Sequence, residues 1–531
     1  MDITEFIRES VCKKEYFIRN LFISSICSTW QRCNKVSSLF RTRLAKEFSD
    51  RTARFHTSVI EDLRMFEEDI DGTMAHDIML HEQGILEEET LKKILAALQE
   101  IKSEWKNGDI EIGAEYEDIH EYIEARVIQK IGIEDGGAMH TGRSRNDQVM
   151  VDMKMVTKKE MLAIAENVLT LVKSLCELAD KNVETPMVYY THGQPAQIGT
   201  FGHYLLAYVD QFLRDYQRIK QCYERVNYNP LGAAAIGGTN FRINRLRTSE
   251  LLGFDYIQEN SVDAVSSRDW AVECASVLSI LMGNMSRMAA DFVMWAGSEF
   301  KYITVADEYS SSSSIMPQKK NPSTLELIRG KSSEVYGALQ ELLTMVKGLP
   351  TGYYQDLQQT KIALWRAFDT TRTSLEVLNG FISTLTVNSE NMLEQTKGSF
   401  IYAVQLAEVL AENDDLSFRE AYKITANVVK NLISENRTLE DLKPSDVQQV
   451  AKELFQKDIK VSSSIAEKVA DPIKALNNLR SPGSPHPAEI SMAVENRLEL
   501  RERYLKELDF LKIKLVIAAD NLKNAIHQYN S

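Results

Sequence analysis

Hydrophobic residues in the middle of this chain recur at steps of three and four positions. Between residues 157 and 180 they are Met161, Ala165, Val168, Leu171, Leu175 and Leu178. That spacing places one apolar face on an α-helix. The same periodicity predicts further long helices over 203–226, 271–300, 323–347 and 364–390. Long helices joined by short loops, with no persistent strand alternation, predict an all-α fold built on an elongated bundle.

The most apolar of these helices extends from about Cys274 to Trp295. Its length would suit a membrane span, but Asn284, Arg287 and Asp291 interrupt it. We therefore predict a buried helix at the centre of the bundle and no association with a membrane.

Composition adds limits to this picture. A chain of 531 residues exceeds the usual size of one domain, so two or three domains are expected. The formal net charge of −14 argues against a nucleic-acid partner. None of the six cysteines has a metal-ligand spacing, so we predict no metal, no disulfide framework and a cytoplasmic location. Cys176 and Cys274 lie in apolar helical patterns and are predicted core thiols.

The first 45 residues differ from the rest of the chain. They hold three cysteines, and residues 16–46 contain no Asp or Glu. We predict a helical extension here, with an organelle-targeting segment as the alternative.

A serine-rich segment followed by lysines is the most distinctive motif. Five serines from Ser310 lead through Ile-Met-Pro-Gln into Lys319, Lys320, Asn321 and Pro322. Asn321 and Pro322 suit the N-cap and first position of a helix. A mobile hydroxyl-bearing loop beside a helix N-terminus predicts an anion site. The alternative is a polar linker.

A second motif extends from His140 to Gln148. Ser144 and Asp147 have the spacing of a capping box, which predicts a helix start near Ser144. Arg143 and Arg145 would then lie at a helix N-terminus, where guanidinium groups can bind a carboxylate in bidentate fashion. Asn146 offers both a donor and an acceptor. The alternative is a capped helix whose arginines pair with surface carboxylates.

A third motif, Tyr190 to Gln197, is a polar cluster between apolar stretches. It contains Thr191 and His192, and the histidine is titratable near neutral pH. A histidine that is merely satisfied in the core or on the surface is the alternative.

Together the three motifs resemble the fumarase/aspartase superfamily and, within it, the argininosuccinate lyase family. Further matches lie at Ser58 with Asp62, at Glu117 to His120, at Asn260 to Asp269 and at Leu349 to Lys361. The resemblance covers roughly residues 50–480. It implies no cofactor.

The resemblance implies an architecture as well. Beyond the extension over 1–45 it predicts an N-terminal helical domain (46–141), a central bundle domain (142–395) and a C-terminal helical domain (396–531). The central domain is expected to be a five-helix bundle. Four copies are expected to form a homotetramer with a twenty-helix core, each active site taking residues from three subunits.

The reaction implied is β-elimination of argininosuccinate to arginine and fumarate. By resemblance Ser313, His192 and Lys319 are the expected catalytic residues, and Ser313 is favoured over His192 as the base. Lys319 would stabilise the dianion that forms when charge moves into the substrate carboxylate. Substrate contacts are expected at Ser58, Asn146, Thr191, Asn321, Tyr353, Gln358 and Lys361. His120, Arg143 and Arg145 are expected to support them.

Several positions depart from the family pattern. Ser312 stands where a glycine is usual, and Gly193 and Pro195 replace bulkier residues beside His192. Gln359 and Thr360 replace an acidic pair. Because these changes surround the leaving-group end, a related C–N lyase acting on another N-substituted aspartate is the main alternative. A non-catalytic, crystallin-like structural member is the third possibility, disfavoured by the intact catalytic residues.

Overall fold

A computed structural model describes residues 43, 46, 48–113, 115–413 and 416–530. Most of the predicted N-terminal extension, with Cys12, Cys27 and Cys33, lies outside the described residues. The described residues form two compact units: those up to Thr141 together with 526–530, and those from Gly142 to Ala525.

The first unit is helical in its described part. Its helices are α1 (Asp50–His56), α2 (Val59–Asp62), α3 (Phe66–Glu82), α4 (Glu88–Asn107), α5 (Ile119–Ile131) and α6 (Ile133–Gly136). Its core forms where α4 packs against α3 and α5. The apolar face of α4 supplies buried Leu91, Ile94, Leu95, Leu98 and Ile101.

Five long helices form the centre of the second unit. They are α7 (Arg145–Asp180), α8 (Phe201–Val226), α11 (Asp269–Ala296), α12 (Ser323–Val346) and α13 (Thr360–Thr384). Helix α7 packs against α8 and α13, and α11 packs against α8, α12 and α13. The predicted all-α fold with a central five-helix bundle is confirmed. Cys176 and Cys274 are fully buried in it, as predicted.

The start of α12 corrects one prediction. Asn321 is not its N-cap, because the helix begins at Ser323 and Pro322 occupies the cap position. Asn321 instead pairs with Ser311 in a short antiparallel ladder. The predicted start is therefore wrong by one residue, because a strand contact uses the asparagine.

The sequence patterns did not predict the short strands. They are β1 (Pro186–Thr191), β2 (Gln194–Thr200), β3 (Tyr228–Asn229), β4 (Tyr256–Ile257), β5 (Ile303–Thr304), β6 (Ser311–Ser312), β7 (Lys320–Asn321) and β8 (Thr386–Val387). Antiparallel pairs are β1–β2, β5–β8 and β6–β7, and the β3–β4 pair is parallel.

Shorter helices complete the second unit. They are α9 (Arg245–Leu252), α10 (Ser261–Ser266), α14 (Ser389–Thr396), α15 (Ala403–Asn413), α16 (Phe418–Ser434), α17 (Pro444–Phe455), α18 (Ile465–Ala470) and α19 (Pro472–Asn477). The last helix, α20, spans Pro487–Asn530. It packs along α8, where the rings of Tyr216 and Tyr504 stack at 4.6 Å between centroids. Within the described part of the chain, every helix is too short or too polar to cross a membrane.

Candidate active site

The N-terminus of α7 is built around a buried carboxylate. Ser144 caps the helix in the predicted capping box with Asp147. Asp147 is fully buried, and one of its oxygens accepts from the Ser144 backbone N–H at 3.0 Å. Its other oxygen accepts from the backbone N–H groups of Gly232 and Ala234, both at 2.9 Å. Asp147 therefore binds a distant turn to the helix start.

Burial raises the pKa of Asp147 to about 6, although the three backbone donors and nearby Arg143 oppose the rise. Beside it, the Asn146 side-chain amide donates to the Ala235 carbonyl at 2.9 Å. Two consecutive residues of α7 thus hold the same turn. Arg143 is buried just before the helix, and Arg145 is its first residue.

Arg245 supports the same turn, and the sequence analysis did not predict this role. Its guanidinium donates to the carbonyls of Leu231 at 2.9 Å and Gln258 at 2.8 Å, and to that of Asn229 at 3.2 Å. An arginine at the start of a short helix, with Arg242 and Arg247 close by in sequence, carries no sequence signal for such a role. Only the fold shows that it supplies donors to several loop carbonyls.

Three of the expected substrate contacts lie at this end of the bundle. Tyr353 packs against the small cluster of Ala233, Ala264 and Val265. The Oε1 atom of Gln358 is buried and accepts no hydrogen bond from any described residue. Lys361 lies in the first turn of α13 and is 1% exposed. We call residues 142–147, 228–238, 260–268 and 352–361 the Asn146 end.

His192 lies on the tight turn of the β1–β2 hairpin. Thr191 pairs with Gln194, so His192 and Gly193 form a two-residue loop with φ of 53° and 69°. Such turns favour residues that tolerate positive φ, which suits a glycine at 193. Thr191 and His192 are both exposed. The base of the hairpin packs, through Val188 and Ile198, on a hydrophobic cluster formed by residues 401–476.

Ser313 lies on the loop between β6 and β7. Its Oγ accepts from the backbone N–H of Met316 at 3.0 Å. Ser312, where the family usually has glycine, lies in β6 opposite Lys320, an extended conformation that any residue can adopt. Lys319 is exposed at the end of the loop, while the Lys320 amine donates to Asp307 at 2.6 Å. Asn321, in β7, follows directly.

The hairpin and the serine loop lie at the same end of the bundle. Tyr190, next to Thr191, contacts the ring of Phe300, with 5.8 Å between centroids. Phe300 follows the last turn of α11 and precedes the segment that leads into the serine loop. We call residues 186–200 and 301–321 the Ser313 end.

The two ends are far apart in one chain. Each of the five long helices begins at one end and finishes at the other. Helix α11 has 28 residues, which corresponds to roughly 40 Å at an α-helical rise. The structure therefore brings Asn146, Tyr353, Gln358 and Lys361 together at one end. It places Thr191, His192, Ser313, Lys319 and Asn321 at the other.

Ser58 and His120 belong to the first unit. The Ser58 hydroxyl donates to Asp62 at 2.7 Å, and its backbone N–H donates to the Glu117 carbonyl at 2.8 Å. His120 Nδ1 lies 2.8 Å from Asp69. Burial would lower the pKa of His120, but the charge and hydrogen bond of Asp69 raise it above the ordinary value.

Comparison with known proteins gives a consistent result. Residues 43–337 match a protein family described as Lyase, and residues 400–470 match one described as Argininosuccinate lyase C-terminal. The argininosuccinate lyase of Methanosarcina mazei is 39% identical over 491 residues, covering 92% of this chain and 99% of that protein. That of Geobacillus thermodenitrificans is 42% identical over 449 residues, covering 85% and 95%.

The fold has a solved counterpart of similar length. A variant of EDDS lyase with bound fumarate has a TM-score of 0.81 and 27% sequence identity to this chain. The match covers 93% of this chain and 99% of that one. This chain is thus similar to proteins that are named for two different substrates, argininosuccinate and EDDS.

Proposed function

This chain belongs to the argininosuccinate lyase family, and we propose that it cleaves argininosuccinate into arginine and fumarate. The observation that carries the proposal is the identity of 39% over 92% of the chain to an argininosuccinate lyase. The substrate contacts expected of that family are all present, including Tyr353, Gln358 and Lys361.

In the proposed reaction a base removes the proton from the carbon next to a carboxylate. The electron pair moves into that carboxylate and then forms the double bond of fumarate, while the C–N bond breaks and nitrogen leaves with its pair. The intermediate carries two developing negative oxygens, so fixed positive charge and hydrogen-bond donors must face them. Lys319, Asn321 and the N-terminus of α12 would supply these at the Ser313 end.

We assign Ser313 as the base and His192 as the second proton-handling group. A serine hydroxyl becomes basic enough only when donors surround its oxygen and water is excluded. The Met316 backbone N–H already donates to Ser313 Oγ. His192 lies at the exposed tip of a two-residue turn, which suits a group that must enter a site formed with other elements.

We assign substrate binding to Ser58, Asn146, Thr191, Asn321, Tyr353, Gln358 and Lys361. The buried Oε1 of Gln358 accepts no hydrogen bond from any described residue. It suits a guanidinium or ammonium donor of the leaving arginine. His120, Arg143 and Arg145 would support these contacts.

We further propose that the active protein is a homotetramer whose sites combine residues of three subunits. The separation of roughly 40 Å between the ends of α11 supports this, because one chain cannot bring Ser313 to Asn146. Exposed apolar residues on α12 also support association: Leu327 is 62% exposed, Tyr336 46% and Leu343 45%. We propose three domains, over residues 46–141, 142–395 and 396–531, and a cytoplasmic location.

A second candidate is a C–N lyase that releases fumarate from another N-substituted aspartate. The TM-score of 0.81 to an EDDS lyase variant with bound fumarate favours keeping it. Gln359 and Thr360, beside Gln358, replace the usual acidic pair.

The test is to incubate the purified protein with argininosuccinate. Fumarate is followed by its ultraviolet absorbance, and arginine by chromatography. Equimolar release of both products is expected. Fumarate from a different N-substituted aspartate, with none from argininosuccinate, would instead support the second candidate. A protein inactive on every such substrate would favour a structural role.

A further inference from the structure

We propose that Tyr309 and Gly380 are positioning residues that fix the base of the serine loop on the bundle. This inference rests on the proposed function, in which that loop carries the catalytic Ser313. It concerns residues outside the three motifs.

Tyr309 ends a single 3-10 turn, Asp307–Tyr309, just before the loop begins. Its ring reaches α13 beside Gly380. A Cβ added at Gly380 would lie 1.9 Å from the Tyr309 hydroxyl oxygen and 2.7 Å from Cζ. The ring also meets Phe381 edge-on, with 6.5 Å between centroids. The tyrosine therefore occupies a notch that exists only because residue 380 has no side chain.

Tyr309 contacts this long helix directly before the loop begins. Upstream, β5 pairs with β8, directly after α13. Downstream, the contacts within the segment are local: Ser310 Oγ donates to the Ala306 carbonyl at 2.9 Å, and Lys320 pairs with Asp307. Ser313 thus takes its position from a short hairpin whose near end is held by Tyr309.

Loss of the notch is expected to leave the fold intact but release the loop. The atoms nearest to the added Cβ are at the far end of the Tyr309 side chain, which can swing out. Alanine also favours a helix more than glycine does, so α13 itself should not weaken. Misplacement of a catalytic group by about 1 Å is enough to cost roughly a hundredfold in rate.

The experiment compares Gly380→Ala, Tyr309→Ala and Tyr309→Phe with wild type. Ser383→Ala is the matched control, because Ser383 is exposed in the same helix and its hydroxyl donates to the Asn379 carbonyl, within the same helix, at 2.8 Å. The first two variants should lose at least about tenfold in kcat with KM within about threefold. Tyr309→Phe keeps the ring in the notch and should stay near wild type, as should Ser383→Ala. A variant that combines Gly380→Ala with Tyr309→Ala should lose no more kcat than Tyr309→Ala alone.

Trypsin supplies a readout that does not depend on catalysis. It cleaves after the exposed Lys319 and after Lys320. Faster nicking there in Gly380→Ala and Tyr309→Ala, with an unchanged melting temperature, supports the anchor even if Ser313 is not the base. Unchanged kcat and nicking in both variants, or an equal loss in Tyr309→Phe, would overturn it.

Discussion

Replacing Asp147 by asparagine should change the stability of this protein in a way that depends on pH. The carboxylate accepts three backbone N–H groups at 2.9–3.0 Å, two at one oxygen and one at the other. Asparagine has a single oxygen, so its amide must face at least one of these donors. A buried donor left without an acceptor costs about 1–3 kcal/mol.

An opposing contribution comes from the buried charge. The native pKa of Asp147 is raised from 3.8 to about 6, which corresponds to about 3 kcal/mol against the ionised form above pH 6. A carboxyl with a raised native pKa binds more protons when folded than when unfolded, between about pH 4 and 6. Its contribution to stability therefore falls as the pH rises through that window. Asparagine carries no such dependence.

The two effects nearly cancel at pH 8, where the variant should melt close to wild type. At pH 5 wild type is mostly protonated at Asp147. The stability of the variant relative to wild type should therefore be lower at pH 5 than at pH 8 by roughly 1.5 kcal/mol. That corresponds to about 1–2 degrees in melting temperature for a protein of this size. Circular dichroism melts of both proteins from pH 5 to 8 provide the measurement. Asp180→Asn, an exposed carboxylate of the same helix, is the control. A difference between variant and wild type that stays constant with pH would refute the reasoning.

Three further predictions concern packing, a buried cation and the chemistry. Gly202→Ala should lower the free energy of unfolding by about 3 kcal/mol or more, because the added Cβ would lie 2.6 Å from the Ala179 carbonyl oxygen. The control Gly237→Ala, which has open space around the added Cβ, should melt like wild type. Burial lowers the pKa of Lys154 to about 7. The stability of wild type relative to Lys154→Met should therefore rise by on the order of 4 kcal/mol between pH 7 and 10. This is measured as a difference in melting temperature that increases with pH. Ser313→Ala should lose several powers of ten in kcat at nearly unchanged KM, and more than about a tenth of wild-type turnover would move the base elsewhere, to His192 first.

Local patterns predicted the helices well. Four of the five bundle helices start within a few residues of their apolar periodicity, since that face is what packs in the core. Helix α7 is the exception, because it starts at Arg145, 12 residues before the periodic segment 157–180. The capping box of Ser144 and Asp147 was predicted for the same reason, because both partners lie within one turn.

Contacts between residues that are distant in the chain could not be predicted from the sequence. The hairpin that carries His192 depends on packing of Val188 and Ile198 against residues more than 200 positions away. The hydrogen bond that the Gly232 backbone N–H donates to Asp147, 85 positions earlier, has no local signature, and neither do the contacts of Arg245 with carbonyls. Asn321 shows the same limit, since its pairing with Ser311 replaced the predicted N-cap.

A site shared between chains is the central claim, and mixing two inactive variants tests it most directly. Ser313→Ala alters the Ser313 end, and Asn146→Ala alters the Asn146 end, roughly 40 Å away in one chain. Each variant alone should barely cleave argininosuccinate. Dissociated and reassembled together in equal amounts, they should recover up to about a quarter of wild-type turnover, because random mixing gives that share of sites both intact parts. A mixture of Ser313→Ala with Lys319→Ala, two changes in one loop, should recover nothing. Hybrid tetramers of the first pair that stay inactive would contradict the claim.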